Sequence, residues 1–507
     1  MEERRTDKSI KNIIYALVGQ FFGIGISLIS RLVFVKILSS EYLGLSSLFT
    51  NILTILSLTE MGFGTAMAFE LYKPIAKNDK EKIKSLMKLY KKIYIIIGIS
   101  IIILGIITIP VYPNLINERP NIENLDLIYM LFVLNTAFSY FVAYKRLLII
   151  SDQNRYIATA YRYGFYIAMN VMQIIELVLF KNYILYLIIQ VLFTLLENIG
   201  ISIKANKMYP YLKDKEVKEV AKRDKKHLMQ NVKALFFHRF GGVVLNSTDN
   251  IVISKVLGLN WVGLYSNYYL ITNALNTILN QVFSSVVASI GNLNTSNTRE
   301  KMTDTFNKIF FANVWIYAVV CSALLVLINP FIEIWLGRDY IISFGTVIVL
   351  VVNYFVYGMR RPAMAFREAT GNYRKDWYSP IIEAVINIFV SIVMAKYIGL
   401  AGVFIGTIIS SLCTNFWLEP FVICKKSLKI NLKQYFLMYL KYALVVLIIV
   451  IVTYIVTALI TIGGLCGLII RGIISVVIPI LILILIYFKN EYFKYYIAMF
   501  KRKILKK

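Results

Sequence analysis

"KILSSEYLGLSS", Lys36 to Ser47, and "KVLGLNWVGLYS", Lys255 to Ser266, are two copies of one pattern. Lys, Leu, Gly-Leu and Ser recur at the same relative places, 219 positions apart. Each copy lies between two apolar runs, so each reads as a tight hairpin between helices. A second pair of stretches, "FKNYILYL" from Phe180 and "AKYIGLAG" from Ala395, sets Lys181 opposite Lys396 at a spacing of 215. The basic pairs Lys145-Arg146 and Arg360-Arg361 keep that same spacing. Landmarks that agree within a few residues predict that helices one to six are repeated as seven to twelve, in the same orientation because six is even.

Composition says what solvent these helices meet. The chain has 507 residues, 58% of them hydrophobic and only 16% charged, against about 25% charged in soluble proteins. With a mean hydropathy of +0.67 it is an integral membrane protein. A helix needs roughly 20 apolar residues to cross the hydrocarbon. Fourteen such runs are predicted, at approximately 11–38, 42–68, 92–113, 125–150, 155–180, 183–206, 231–257, 260–290, 304–330, 340–366, 376–398, 400–424, 437–460 and 464–488. The fold class expected is all-α, with about 14 transmembrane helices arranged as two parallel six-helix repeats plus a C-terminal helix pair. The corresponding domains are a six-helix bundle at 1–206, a basic cytoplasmic linker at 207–230, a second bundle at 231–425, and the extra pair with a basic tail at 426–507.

The net charge of +27 has a topological explanation. With the N-terminus inside, about 47 of the 55 Lys and Arg fall on inner segments, which is the bias that cytoplasmic loops carry. Both termini are therefore expected in the cytoplasm, and no nucleic-acid partner is needed. The first apolar run is too long for a signal peptide and reads as a retained helix. Cys321, Cys413, Cys424 and Cys466 lie in or beside apolar runs without metal-ligand spacing and read as core thiols. There is no phosphate-cradling G-x-x-x-x-G-K-[ST] loop and no H-E-x-x-H, and His227 and His238 have no nucleophile at useful spacing. Neither an enzyme nor a cofactor or metal site is expected.

Three stretches carry a family resemblance: "TDNIVISKVLGLNWVGLYSNY" from Thr248, "FREATGNYRKDWYSPIIEAVINI" from Phe366 and "KYIGLAGVFIGTIIS" from Lys396. The chain resembles, over essentially its whole length, the Wzx-type polysaccharide repeat-unit flippases of the multidrug/oligosaccharidyl-lipid/polysaccharide superfamily. The resemblance implies movement of an undecaprenyl-pyrophosphate-linked oligosaccharide from the inner to the outer leaflet of a bacterial plasma membrane, for capsule, exopolysaccharide or O-antigen-like assembly. It implies membrane lipids and a lipid-linked oligosaccharide as partners, with polysaccharide polymerase and chain-length machinery nearby, and a monomeric chain. A multidrug or cation antiporter of the same superfamily is the first rival, and its substrates favour an acidic cavity. A membrane glycan polymerase is the second, but it needs a long outer loop, and the longest here is about "NLINERPNIEN".

An anionic diphosphate calls for cationic anchors, and arginine meets phosphate bidentately. The candidates are Arg31, Arg239, Lys145, Arg146, Arg360 and Arg361. Arg31 sits about 10 Å deep at 1.5 Å per residue, and either lines a cavity or snorkels to water. Its near counterpart in the repeat is Asp249, which offers a gating ion pair. Arg239 and the two basic pairs stand near the inner face, where snorkelling is the competing reading. Glu60 is a coupling-ion candidate for a proton or sodium, or else a hydrogen-bonded acid, and Glu176, Glu197 and Glu383 are unranked beside it. Asn273, Asn276 and Asn280 share one helix face and either contact sugar hydroxyls or tie helices together.

Overall fold

A computed structural model describes residues 2–60, 62–117, 120–214, 217–294, 298–370 and 378–505. Among them there are helices and no strands. In chain order these are α1 (Glu2–Ile37), α2 (Ser40–Leu56), α3 (Phe63–Ala76), α4 (Lys80–Thr108), α5 (Leu125–Phe141), α6 (Ala143–Ser151), α7 (Arg155–Leu179), α8 (Tyr183–Met208) and α9 (Lys222–Val256). They continue as α10 (Leu259–Asn294), α11 (Arg299–Leu336), α12 (Phe344–Ala369), α13 (Ser379–Ile398), α14 (Leu400–Cys413), α15 (Asn415–Lys426), α16 (Leu432–Ala458), α17 (Gly464–Tyr487) and α18 (Glu491–Leu505).

Every predicted apolar run falls on a helix, but three of them are interrupted. The run at 42–68 breaks at a short 3-10 turn, Ser57–Glu60, after which α3 starts behind Gly62 at φ 93°. The run at 125–150 bends by 44° between α5 and α6. The run at 400–424 breaks at Thr414, whose backbone leaves the helical region at φ −127°, ψ −99°. Among the described residues, eight segments, or nine counting the bent pair, are long and apolar enough to cross a membrane by length and composition. The remaining runs carry interruptions or polar residues. Polar groups inside spanning helices are expensive in hydrocarbon, so their positions point toward function.

The described chain divides into two compact units, Met1–Gly263 and Leu264–Lys507. The first runs past the boundary expected at 206, taking in the basic linker, α9 and the opening residues of α10. The reason is packing: α9 lies against α2 and α3, and the linker is tied to α4 by Lys84–Asp214 at 3.0 Å and Lys82–Asp224 at 2.9 Å. α1 is fastened to the α6–α7 turn by Asn12, which accepts the Tyr156 N–H at 2.6 Å and donates to the Gln153 carbonyl at 3.2 Å.

The repeated hairpins meet inside this first unit. A Cβ on Gly44 would collide with the Leu259 carbonyl, and one on Gly263 with the Ser40 carbonyl. Ser40 and Leu259 are 219 positions apart, as are Gly44 and Gly263, so the contact is exchanged with itself by the sequence repeat. Only glycine lets the backbones approach this closely. Ser40 Oγ also donates to Asn260 Oδ1 across the junction.

In the second unit α13 and α14 form a close hairpin. Gly402 and Gly406, one turn apart, face the backbone at Met394 and Ser391, and Ser391 Oγ donates to the Val403 carbonyl at 3.0 Å. Small residues four apart allow such contact where no hydrophobic effect drives helices together. α11 gathers the last helices through aromatic rings, with Phe311 on Tyr487 at 5.3 Å and Trp315 stacked on Phe493 at 5.6 Å.

Candidate functional site

The adjacent arginines of α12 have opposite surroundings. Arg360 is 6% exposed and donates from Nε and Nη2 to Glu419 of α15 at 3.0 and 2.8 Å. Its Nη1 reaches Ser411 of α14 at 2.6 Å and Glu383 of α13 at 3.4 Å. Asn415 donates to Glu383 and accepts from Ser379 at 2.5 Å, and Arg367 stands 3.8 Å from Glu419. Two arginines thus balance two carboxylates, and the cluster ties four helices. Any phosphate at Arg360 has to compete with Glu419.

Arg361 is 5% exposed and has neutral partners. Its Nη1 donates to Asn280 Oδ1 at 2.8 Å and its Nη2 to Asn276 Oδ1 at 2.9 Å. The rings of Phe283 and Tyr357 lie 5.5 Å from the guanidinium carbon, and the Tyr317 and Tyr354 hydroxyls are within its electrostatic reach. Nε is buried with no acceptor among the described residues. No carboxylate among the described residues pairs with this cation. Asn276 and Asn280, candidates either for sugar contact or for tying helices together, both hold an expected phosphate anchor. Asn273, on the same helix, is exposed and bonded through its carbonyl to Thr277.

The first unit wires its basic pair differently. Arg146 on α6 donates to Glu197 Oε1 of α8 at 2.5 Å and to Asn198 Oδ1 at 3.3 Å. Lys145 donates to Ser202 at 2.6 Å and sits 5.9 Å from the Tyr144 ring. The pairs that match in sequence therefore do not match in role: the second member takes the carboxylate in one unit and the first member in the other.

Arg31 is half-buried on α1, next to the buried Ser30, with Tyr166 of α7 and Tyr186 of α8 as electrostatic neighbours. α8 is held there by Gln173, which donates to the Tyr186 carbonyl at 3.1 Å. Asp249 stands on α9, between the buried Thr248 and Asn250. Arg239 is also on α9, and its side chain lies outside the described residues.

Glu60 forms part of the wall of a cavity of about 360 Å³ within the first unit. α2 contributes Thr50, Leu53 and Thr54 to it, the 3-10 turn Ser57 and Glu60, α5 Phe132, Asn135, Thr136 and Tyr140, and α8 Gln190. The interruption after α2 is what turns Ser57 and Glu60 toward this space. Tyr94 donates to Glu60 at 3.5 Å, and Thr194 donates to Asn135 at 2.7 Å.

Sequence reasoning missed Glu419, the principal partner of Arg360. Its signal was present, an acid within "NFWLEPFVIC", in an apolar run that ends at the basic inner segment. Asn135 and Gln190 had no comparable signal, because a single amide in an apolar run is as well explained by helix association.

Comparison with known proteins places these features. The model of the polysaccharide biosynthesis protein family matches residues 9–288. No curated protein sequence matches the chain. Among solved structures, the lipid II flippase MurJ in an inward closed conformation is similar with a TM-score of 0.70, at 15% identity, over 94% of this chain and 99% of that one. An inward-facing multidrug resistance MATE family transporter of the MOP superfamily is similar with a TM-score of 0.65, at 15% identity, over 79% and 95%. A MOP superfamily transporter from Pyrococcus furiosus gives 0.52, at 15% identity, over 79% and 92%. At such identities the likeness is one of fold. The chain is a multi-pass membrane protein, helical in its described residues, with a fold similar to those of the MurJ flippase and a MATE transporter, and it belongs to the polysaccharide biosynthesis protein family.

Proposed function

We propose that the chain is a flippase that carries undecaprenyl-pyrophosphate-linked oligosaccharide repeat units from the cytoplasmic to the outer leaflet of a bacterial plasma membrane by alternating access. Both termini lie in the cytoplasm, and the product feeds a polymerase and chain-length machinery for capsule, exopolysaccharide or O-antigen-like glycan. The chain acts without covalent chemistry and as a monomer.

The observation that carries this reading is Arg361. Burying a guanidinium in a helix of a membrane protein is costly, roughly 2.5–3.5 kcal/mol on insertion scales at the bilayer centre, and a cation left without an anion keeps a cost of that kind. Arg360, one residue away, has its anions inside the protein. Arg361 has two amide oxygens and two aromatic faces, which orient a planar fork and cushion its charge but do not neutralise it. A pyrophosphate supplies the missing charge and an acceptor for Nε, which has none among the described residues. Arg31, half-buried among tyrosine hydroxyls, serves the same group elsewhere on its path and exchanges with Asp249 between states. An exporter of organic cations gains nothing from a buried positive charge.

The test is deletion followed by analysis of lipid intermediates and surface glycan. The lipid-linked unit should accumulate on the cytoplasmic leaflet and surface glycan should be lost. Complementation with Arg361→Ala at normal protein level should leave less than a tenth of wild-type export, with Arg361→Lys intermediate because it keeps charge but loses the fork. Unchanged intermediates together with altered drug tolerance would sink the reading in favour of a multidrug antiporter.

A further inference from the structure

We propose that the cavity among α2, α5 and α8 is a sugar subsite, which receives a neutral pyranose ring of the cargo; it rests on the flippase reading and extends it to recognition of the glycan. The cavity, about 360 Å³, falls within the roughly 300–1,000 Å³ range of small-ligand sites.

Its chemistry selects the ligand. Of the ten lining residues, seven bear a hydroxyl or an amide, one is Glu60, and two, Leu53 and Phe132, are apolar. No Lys or Arg lines it, so the pyrophosphate does not belong there; the lone carboxylate repels it. Among the described residues no three His, Cys, Asp or Glu gather as a metal site.

The hydrogen-bonding groups are sorted into donors and acceptors. Thr50 and Thr54 spend their protons on the Ser46 and Thr50 carbonyls, so their oxygens face outward as acceptors. Asn135 has its oxygen engaged by Thr194, which orients its amide NH2 as the donor end. Glu60 adds charged acceptor oxygens, which suit adjacent hydroxyls of a sugar. The Phe132 and Tyr140 rings supply flat apolar surface for the C–H face of a pyranose. A hydrophobic organic cation could use Glu60 and the rings but would give no acceptor to the Asn135 amide NH2, at a cost of about 1–3 kcal/mol.

The experiment is saturation-transfer NMR on the full chain in detergent micelles, with glucose, galactose, N-acetylglucosamine and N-acetylgalactosamine as probes. At least one sugar should show transfer to its ring protons. The signal should fall at least fivefold in Gln190→Leu and in Thr54→Val, the second preserving shape so that loss of fold cannot account for the result. No transfer from any of the four, or equal transfer in both variants, overturns the proposal. Tetraphenylphosphonium binding that Glu60→Gln removes, without sugar transfer, overturns it in favour of an organic-cation site. Sodium-dependent thermal stabilisation removed by Glu60→Gln, again without sugar transfer, overturns it in favour of an ion site. Accumulation of the lipid-linked unit in the deletion strain tests the flippase reading separately; accumulation that both cavity variants fully reverse defeats the subsite alone.

Discussion

Arg360 and Arg361 differ in what each variant should cost. Arg360 is bidentate to Glu419 and touches Glu383, so its removal leaves two buried carboxylates facing one remaining arginine, Arg367. Breaking such a pair from one side costs about 3–5 kcal/mol, whereas replacing both partners by apolar groups is far milder. Arg360→Met should therefore lower the thermal midpoint of the purified chain sharply, and Arg360→Met combined with Glu419→Leu should recover a large part of the loss. Arg361→Met exchanges a cation that pairs with no carboxylate among the described residues for an apolar chain of similar reach, and should leave the midpoint unchanged or raise it while export fails. A fall in the midpoint for Arg361→Met as large as that for Arg360→Met would show that both residues are structural. The sequence marked both arginines as equivalent candidates because a dipeptide carries no information about which neighbour lies across the helix. Successive residues on a helix point about 100° apart, and that rotation delivers one to carboxylates and the other to amides and rings.

At the scale of elements, the informative features are the places where helices stop or touch. α2 ends early at Ser57–Glu60, and that interruption opens the polar cavity. The start of α2 meets the start of α10 through Gly44 and Gly263, where any side chain would strike a carbonyl of the opposite turn. Gly44→Val and Gly263→Val should each force these turns apart and reduce export at least tenfold. Gly25→Ala, placed where nothing lies within 4 Å, should have no effect. Export from complemented deletion strains, normalised to protein level, separates the three. The hairpin copies were legible in the sequence, and so were the helix starts they define, since Ser40 and Leu259 keep the 219 spacing. The interruptions at Ser57–Glu60 and Thr414 were not. Both carry polar residues inside runs that read as single helices, and there a polar residue that ties helices together looks the same as one that marks a break.

At the scale of the whole molecule, the distribution of basic residues and the repeat predict the topology. An impermeant maleimide should label Glu123→Cys in intact cells and Lys433→Cys only after permeabilisation, in a background where the exposed Cys413 and Cys466 are replaced by serine. The reverse pattern would invert the orientation argued from charge. The sequence by itself determined that the chain is a helical membrane protein with a repeated hairpin and basic residues clustered in a few segments. Those properties follow from composition and one-dimensional spacing, because hydrocarbon thickness and charge bias act on each segment independently. Only the tertiary structure decided which charges are satisfied, that α9 joins the first unit, and that Glu60 faces a cavity of amides and hydroxyls. Those facts depend on contacts between residues such as Arg361 and Asn276, or Thr54, Asn135 and Gln190, far apart along the chain. Their proximity is set by how helices pack and where they break, and no local pattern encodes it.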